Sequence, residues 1–186
     1  MIGVIADPAE QDVVREFFEL FKTPWEFYRM DGQYEILLCA GDGPFERTAK
    51  LVLCYAGRKM QFDDEQKVQT GRQRKHSCIL SYQENRIPIY GDTITFVEKE
   101  SGLLADEASQ ECAAYLDQSG ERVVARIGYD LFGEVRTLLT VGQPPANANI
   151  PALELHIAFL RNLITGCGIS LVEIPPVPSG YPFIAC

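Results

Sequence analysis

Ile2-Gly3-Val4-Ile5-Ala6-Asp7-Pro8, followed by Val13, Val14, Phe17, Phe18 and Phe21, sets the fold class of this chain. Residues 2–6 are apolar and suit a β-strand. Asp7 can cap a helix, and Pro8 fits its first turn, where a missing N–H costs nothing. The apolar residues that follow recur at helical spacing and make one buried face, and Lys22-Thr23-Pro24 ends the helix. A new apolar stretch, Trp25 to Tyr28, begins directly afterwards. Strand, helix and strand in such quick succession predict a βαβ unit with parallel pairing.

The remaining elements are read outward from this unit. Tyr34 to Ala40 and Leu51 to Tyr55 are nearly continuous apolar runs, as expected of strands covered on both faces. Between them Gly41-Asp42-Gly43-Pro44 breaks the chain. Residues 58–76 are polar and read as loop with a short helix near Asp64 to Val68. Cys78 to Tyr82, Ile87 to Tyr90 and Thr93 to Val97 are short strands. Cys112 to Leu116 and Arg122 to Tyr129 flank Asp117 to Glu121 as a hairpin. Helices are predicted over Leu131 to Thr140 and Pro151 to Thr165, and a last strand over Ile169 to Ile174. The sum is an α/β fold of three layers, its central sheet mostly parallel with added antiparallel strands. That arrangement is of the flavodoxin-like or class I glutamine amidotransferase-like kind.

With 17 basic and 26 acidic residues the net charge is −9. That average field repels a nucleic acid, and the short basic run Arg72-Gln73-Arg74-Lys75-His76 reads as a solvated loop. No run approaches the roughly 18 apolar residues a membrane helix needs. The six cysteines lack metal-ligand spacing, and several sit inside apolar runs, such as Cys39 and Cys54. Such thiols behave as small buried hydrophobes in a reducing compartment, so a cytoplasmic protein is expected.

Candidate chemistry is sparse. Gly41, Asp42 and Gly43 follow a strand and can offer N–H groups to a ligand, although the third glycine of a dinucleotide fingerprint is missing. Tyr129 and Asp130 lie at the carboxyl end of a strand, where α/β proteins place sites, and Asp130 can also cap the Leu131 helix with Glu134 and Arg136 outward. These five residues are the ligand-binding candidates. No catalytic and no metal-binding residue is assigned. The Cys39 and Cys54 strings are similar in part to the nucleophile elbow of glutamine amidotransferases, but each lacks the first glycine that a strained elbow requires. His76 and His156 lack the context of a catalytic base, and His156 reads as a hydrogen-bonded histidine at a helix interface.

One resemblance covers the last third of the chain. Gly128-Tyr129-Asp130-Leu131-Phe132-Gly133-Glu134-Val135-Arg136, Gly142-Gln143-Pro144, Leu153 to Ile157, Arg161, Pro175 to Pro178 and Pro182 to Ala185 together resemble the amino-terminal region of bacterial polysaccharide deacetylase-like proteins. The resemblance implies that residues 1–172 form an α/β accessory domain. Residues 173–186 would be a proline-rich linker and the first strand of a following catalytic domain. That domain would be a divalent-metal-dependent hydrolase removing N-acetyl groups from cell-surface sugars. This chain would then be the non-catalytic front domain, partnered by its own catalytic domain, by a second copy, or by both. The alternatives are a degenerate amidotransferase-like domain holding a small ligand, and a self-association module.

Overall fold

The computed structural model describes residues 1–41, 49–97, 99, 102–119 and 122–172. Strand β1 (Ile2–Ile5) leads through a 3-10 turn (Pro8–Glu10) into helix α1 (Gln11–Phe21). The Asp7 carboxylate accepts the Ala9 N–H at 2.8 Å, as expected of a cap. Lys22 adopts a left-handed conformation with φ 54°, and its N–H closes the helix on the Phe18 carbonyl. Strands β2 (Trp25–Phe27), β3 (Ile36–Ala40) and β4 (Leu51–Tyr55) follow. The chain continues through α2 (Gln61–Glu65), β5 (Thr70–Arg74), β6 (Cys78–Tyr82), β7 (Asn85–Ile89), β8 (Thr93–Phe96) and β9 (Leu104–Asp106). It ends in the hairpin strands β10 (Cys112–Ser119) and β11 (Arg122–Ile127), then α3 (Leu131–Thr140) and α4 (Ala152–Gly166).

The strand order is β2-β1-β3-β4-β11-β10-β9-β6-β7, with β8 branching from β10 to β5. The first five strands in this order are parallel. The remaining pairings among the described strands are all antiparallel. The expected βαβ unit is therefore present, with β1 pairing in parallel to both β2 and β3.

A mostly parallel three-layer sheet is not what these residues build. The sheet is mixed, and the longer helices α1, α3 and α4 pack on one face of it. On that face lie Phe17, Phe18 and Phe21 of α1, Phe132 and Val135 of α3, and Phe159, Leu160 and Ile164 of α4. They meet Ile2, Val4, Ile36, Leu38, Leu51 and Leu53 of the sheet, alternate residues along each strand. The opposite face buries Leu37, Cys39, Val52 and Cys54 beneath Met60 and Phe62, around the short helix α2. A flavodoxin-like or class I glutamine amidotransferase-like layering puts full helices on both faces of a parallel sheet, and that expectation is corrected here.

Smaller differences have local causes. The polar stretch 58–76 holds a strand, β5, which pairs only with β8 and so carries no buried stripe. Ile169 to Val172 is not a strand; it packs as irregular chain after α4, with Ile169 buried. Asp42, Gly43 and residues 173–186 lie outside the described residues. Among the described residues no helix is long and apolar enough to cross a membrane.

Candidate functional site

The carboxyl ends of β1, β3, β4 and β11 open onto a cleft of about 830 Å³. Open α/β sheets bind ligands in such crevices, because strand ends and helix starts expose unpaired backbone groups there. Each wall follows from local sequence. Asp7 and Glu10 come from the turn between β1 and α1; Gly41 follows β3; Ala56, Gly57 and Arg58 follow β4; Asp130, Glu134 and Arg136 come from the start of α3. Gly57 is required where it stands. A Cβ there would lie 1.9 Å from the Asp92 carbonyl oxygen, so only glycine lets the two loops meet.

Most carboxylates of the cleft are tied down, the exposed Asp92 standing apart. Asp130 Oδ1 accepts the N–H groups of Phe132 at 3.1 Å and Gly133 at 3.2 Å, capping α3. Glu134 is almost wholly buried, and its two oxygens accept the Tyr90 and Gly91 N–H groups at 2.8 and 2.6 Å. Burial raises the affinity of Glu134 for a proton, and the two backbone donors oppose that shift. Glu10 lies 3.7 Å from Arg136, whose Nη2 also donates to the Ala9 carbonyl at 3.2 Å. Burial first, then the neighbouring charge of Asp130, raises the pKa of Glu10, while Arg136 lowers it. Glu10 and Arg136 present a matched acceptor and donor to the cleft, beside Arg58, Asp92 and Thr137.

Three of the five sequence candidates can be placed. Gly41 lines the cleft with φ +96° and donates its N–H to the Tyr55 carbonyl at 3.2 Å. Asp130 lines it as the α3 cap. Tyr129 is fully buried beneath it, with its hydroxyl 3.1 Å from His156 Nδ1. Asp42 and Gly43 lie outside the described residues. Sequence reasoning set Glu134 and Arg136 outward, yet Glu134 turns into the fold and Arg136 faces the cleft. The usable signal was position: Glu134 stands one turn beyond a cap, beside the glycines that bring the 90–92 segment close. Among the described residues no group of three or more His, Cys, Asp or Glu could hold a metal ion.

No protein-family model matches this chain, and no curated protein matches it. Solved structures do. An exo-beta-1,4-mannosidase, Op5Man5 from Opitutaceae bacterium strain TAV5, aligns over 94% of this chain and 36% of its own, at 9% identity and a TM-score of 0.63. A catalytic mutant of Gan42B, a GH42 beta-galactosidase from G. stearothermophilus, aligns over 93% and 30%, at 9% identity and TM-score 0.60. A beta-galactosidase from the psychrophilic Marinomonas ef1 aligns over 94% and 30%, at 10% identity and TM-score 0.55. At such identities the likeness is one of fold alone. The chain spans about a third of the length of each of these proteins.

These neighbours are glycoside hydrolases, not polysaccharide deacetylases. The deacetylase resemblance is corrected, and with it the reading of this chain as the front domain of a deacetylase and the amidotransferase-like alternative. Several of the residues that carried the resemblance have structural jobs among the described residues. Asp130 caps α3, Leu131, Phe132 and Val135 fill the core, and Leu153 to Ile157 is one stretch of an amphipathic helix. Caps and apolar stripes of this kind recur in unrelated α/β folds, which is why the string misled.

Proposed function

We propose that this chain is a sugar-binding module of a larger carbohydrate-active protein, and that the cleft at the carboxyl ends of its parallel strands is the binding site. The module binds and does not hydrolyse. The observation that carries this reading is the state of the cleft carboxylates. Glycoside hydrolysis needs two carboxyl groups flanking the scissile bond, one to protonate and one to attack or activate water. Here Asp7, Asp130 and Glu134 are committed to backbone N–H groups and Glu10 faces a guanidinium, which leaves the exposed Asp92 as the remaining carboxylate of the lining, one where two are needed. A sugar is favoured over an anion because the lining is rich in carboxylates. It is favoured over a purely cationic ligand because Arg58 and Arg136 stand in the same wall. A hydroxyl both donates and accepts, so neighbouring sugar hydroxyls can satisfy Glu10 and Arg136 together.

The fold shared with a mannosidase and two beta-galactosidases supports mannose- or galactose-type ligands. The rest of the same protein is then the natural partner, with a second copy as another. We also propose a cytoplasmic protein, supported by the buried thiols of Cys39, Cys78 and Cys112, none of which forms a disulfide.

Titration of the chain with mannose, galactose and their β-1,4-linked disaccharides, followed by protein NMR, tests the proposal. Saturable shifts at Glu10, Gly41, Asp130 and Arg136 are expected, with Arg136→Ala weakening binding about tenfold, the loss of one or two charge-assisted hydrogen bonds. Unmoved resonances at tens of millimolar sugar, or turnover of an aryl mannoside or galactoside by the purified chain, would overturn it.

A further inference from the structure

Beneath the cleft floor, helix α4 carries a fully buried imidazole. His156 is 0% exposed, and its Nδ1 lies 3.1 Å from the Tyr129 hydroxyl. Its Nε2 is buried with no hydrogen-bond partner among the described residues. The Tyr129 ring also meets Tyr55 edge-on at 5.3 Å. The Tyr55 hydroxyl is near enough to influence Tyr129 but makes no hydrogen bond of good geometry. The row His156, Tyr129, Tyr55 therefore joins α4 to two strand ends that form the cleft, since Asp130 and Ala56 are the next residues along the chain.

This row favours a neutral imidazole, because a buried ring with one unpartnered nitrogen gives a charge no counterpart. In one tautomer the Tyr129 hydroxyl donates to Nδ1, and a proton arriving there forces the hydroxyl to turn and accept from a ring that is now charged. In the other, Nδ1–H donates to the phenol oxygen, and a proton arriving at Nε2 creates a charged N–H with no acceptor among the described residues. Among the described residues no free carboxylate faces the ring to compensate the charge. Glu134 of α3 is held by the Tyr90 and Gly91 N–H groups, and Arg136 of α3 reaches Ala9 and Glu10. Arg86 of β7 pairs with Glu107, Arg161 of α4 reaches the Phe21 carbonyl, and Glu154 of α4 is exposed. The remaining titratable groups against α4 among the described residues are the phenols of Tyr129 and Tyr55, and of Tyr82, which accepts from Asn162. Burial alone pushes the His156 pKa down, to about 4.

We propose that His156 is an acid-sensitive latch: when α4 opens and the imidazole takes one proton from solvent, the helix cannot redock, and the Tyr129–Asp130 end of the cleft loosens with it. The open form binds that proton at the ordinary histidine pKa and the closed form does not. Closure is thus fully favoured above about pH 6.5 and weakens about tenfold for each pH unit below it, until the folded pKa is reached. The latch does not depend on what the cleft holds.

Hydrogen exchange of the whole chain, followed by mass spectrometry from pH 7 to pH 5 and corrected for intrinsic rates, tests this. Peptides covering 152–166 and 129–134 are expected to open about tenfold more per pH unit below about 6.5. His156→Gln, which stays neutral, should flatten that slope while other titrating groups act equally on both chains. A slope retained in His156→Gln, or level protection of α4 in the parent chain, overturns the proposal. Should the variant fail to fold, ring NMR of the parent decides, with the exposed His76 as the only other histidine for comparison. The expected result is a ring that stays neutral in the closed population. A ring that protonates in place with α4 protection intact overturns the latch.

Discussion

Arg126 stands inside an apolar strand, Val123-Val124-Ala125-Arg126-Ile127, and a guanidinium there must find partners or forfeit the strand. It finds five. Nε and Nη2 donate to the two oxygens of Asp63 at 2.9 and 3.0 Å, Nη1 to the Ala56 and Ile127 carbonyls, and Nη2 also to the Arg58 carbonyl. The Phe96 ring closes the site, its centroid 5.0 Å from the guanidinium carbon. Both ions are 0% exposed, so their value lies in holding α2 and the 56–58 loop against β11, and through that loop one wall of the cleft. Arg126→Met leaves Asp63 buried without its cation, and urea denaturation should record a loss of about 3–5 kcal/mol. The double variant Arg126→Met, Asp63→Leu should recover a large part of it. A double variant no better than the single would show that the guanidinium's backbone contacts, not the ion pair, carry the effect. A charged residue in a buried strand is a signal visible in sequence. Its partner was not, because Asp63 is brought there only by the fold.

Helix α3 shows how an element can be legible in extent and misread in role. The apolar spacing after Asp130 marks Leu131 to Thr140, and the structure has those same bounds with Asp130 as cap. What spacing does not reveal is which polar residue turns inward. Glu134 does so because Tyr90 and Gly91, just past β7, carry two N–H groups that it accepts, a need created by a different part of the chain. The helix is thus anchored at two points of unequal strength. Asp130→Ala removes a solvent-side cap and should cost about 1 kcal/mol, fraying the first turn. Glu134→Gln turns an amide donor toward one of two buried backbone donors and should cost about 1–3 kcal/mol. Thermal melts of the two variants test the ranking; equal losses would mean that the 90–91 anchor is dispensable. Strand β5 failed to register for the opposite reason. Its residues face solvent and pair with a single neighbour, so neither periodicity nor burial marked them.

At the scale of the whole molecule, the parallel block and the antiparallel extension meet at the β10–β11 hairpin, yet they share one core. Ile2, Val4 and Leu53 of the first and Leu80, Ile87, Ile89 and Leu104 of the second belong to the same buried cluster, bridged by α3 and α4. The parallel half could be read from its unbroken apolar runs and short crossover. The order of the antiparallel strands could not, because β6 with β9, and β10 with β8, pair across intervening strands and are set by tertiary contact. A shared core predicts shared unfolding. At pH 7 the sole tryptophan, Trp25, reports on the parallel edge, where it stacks on Phe18 with centroids 4.6 Å apart. Buried thiols report on both regions: Cys39 and Cys54 in β3 and β4, Cys78 and Cys112 in β6 and β10. Pulse alkylation across a urea series should expose all four thiols at one midpoint, and that midpoint should coincide with the Trp25 fluorescence change, as a two-state transition requires. If Cys78 and Cys112 react at lower urea than Cys39 and Cys54, the antiparallel extension opens on its own, and α3 and α4 do not couple the two regions.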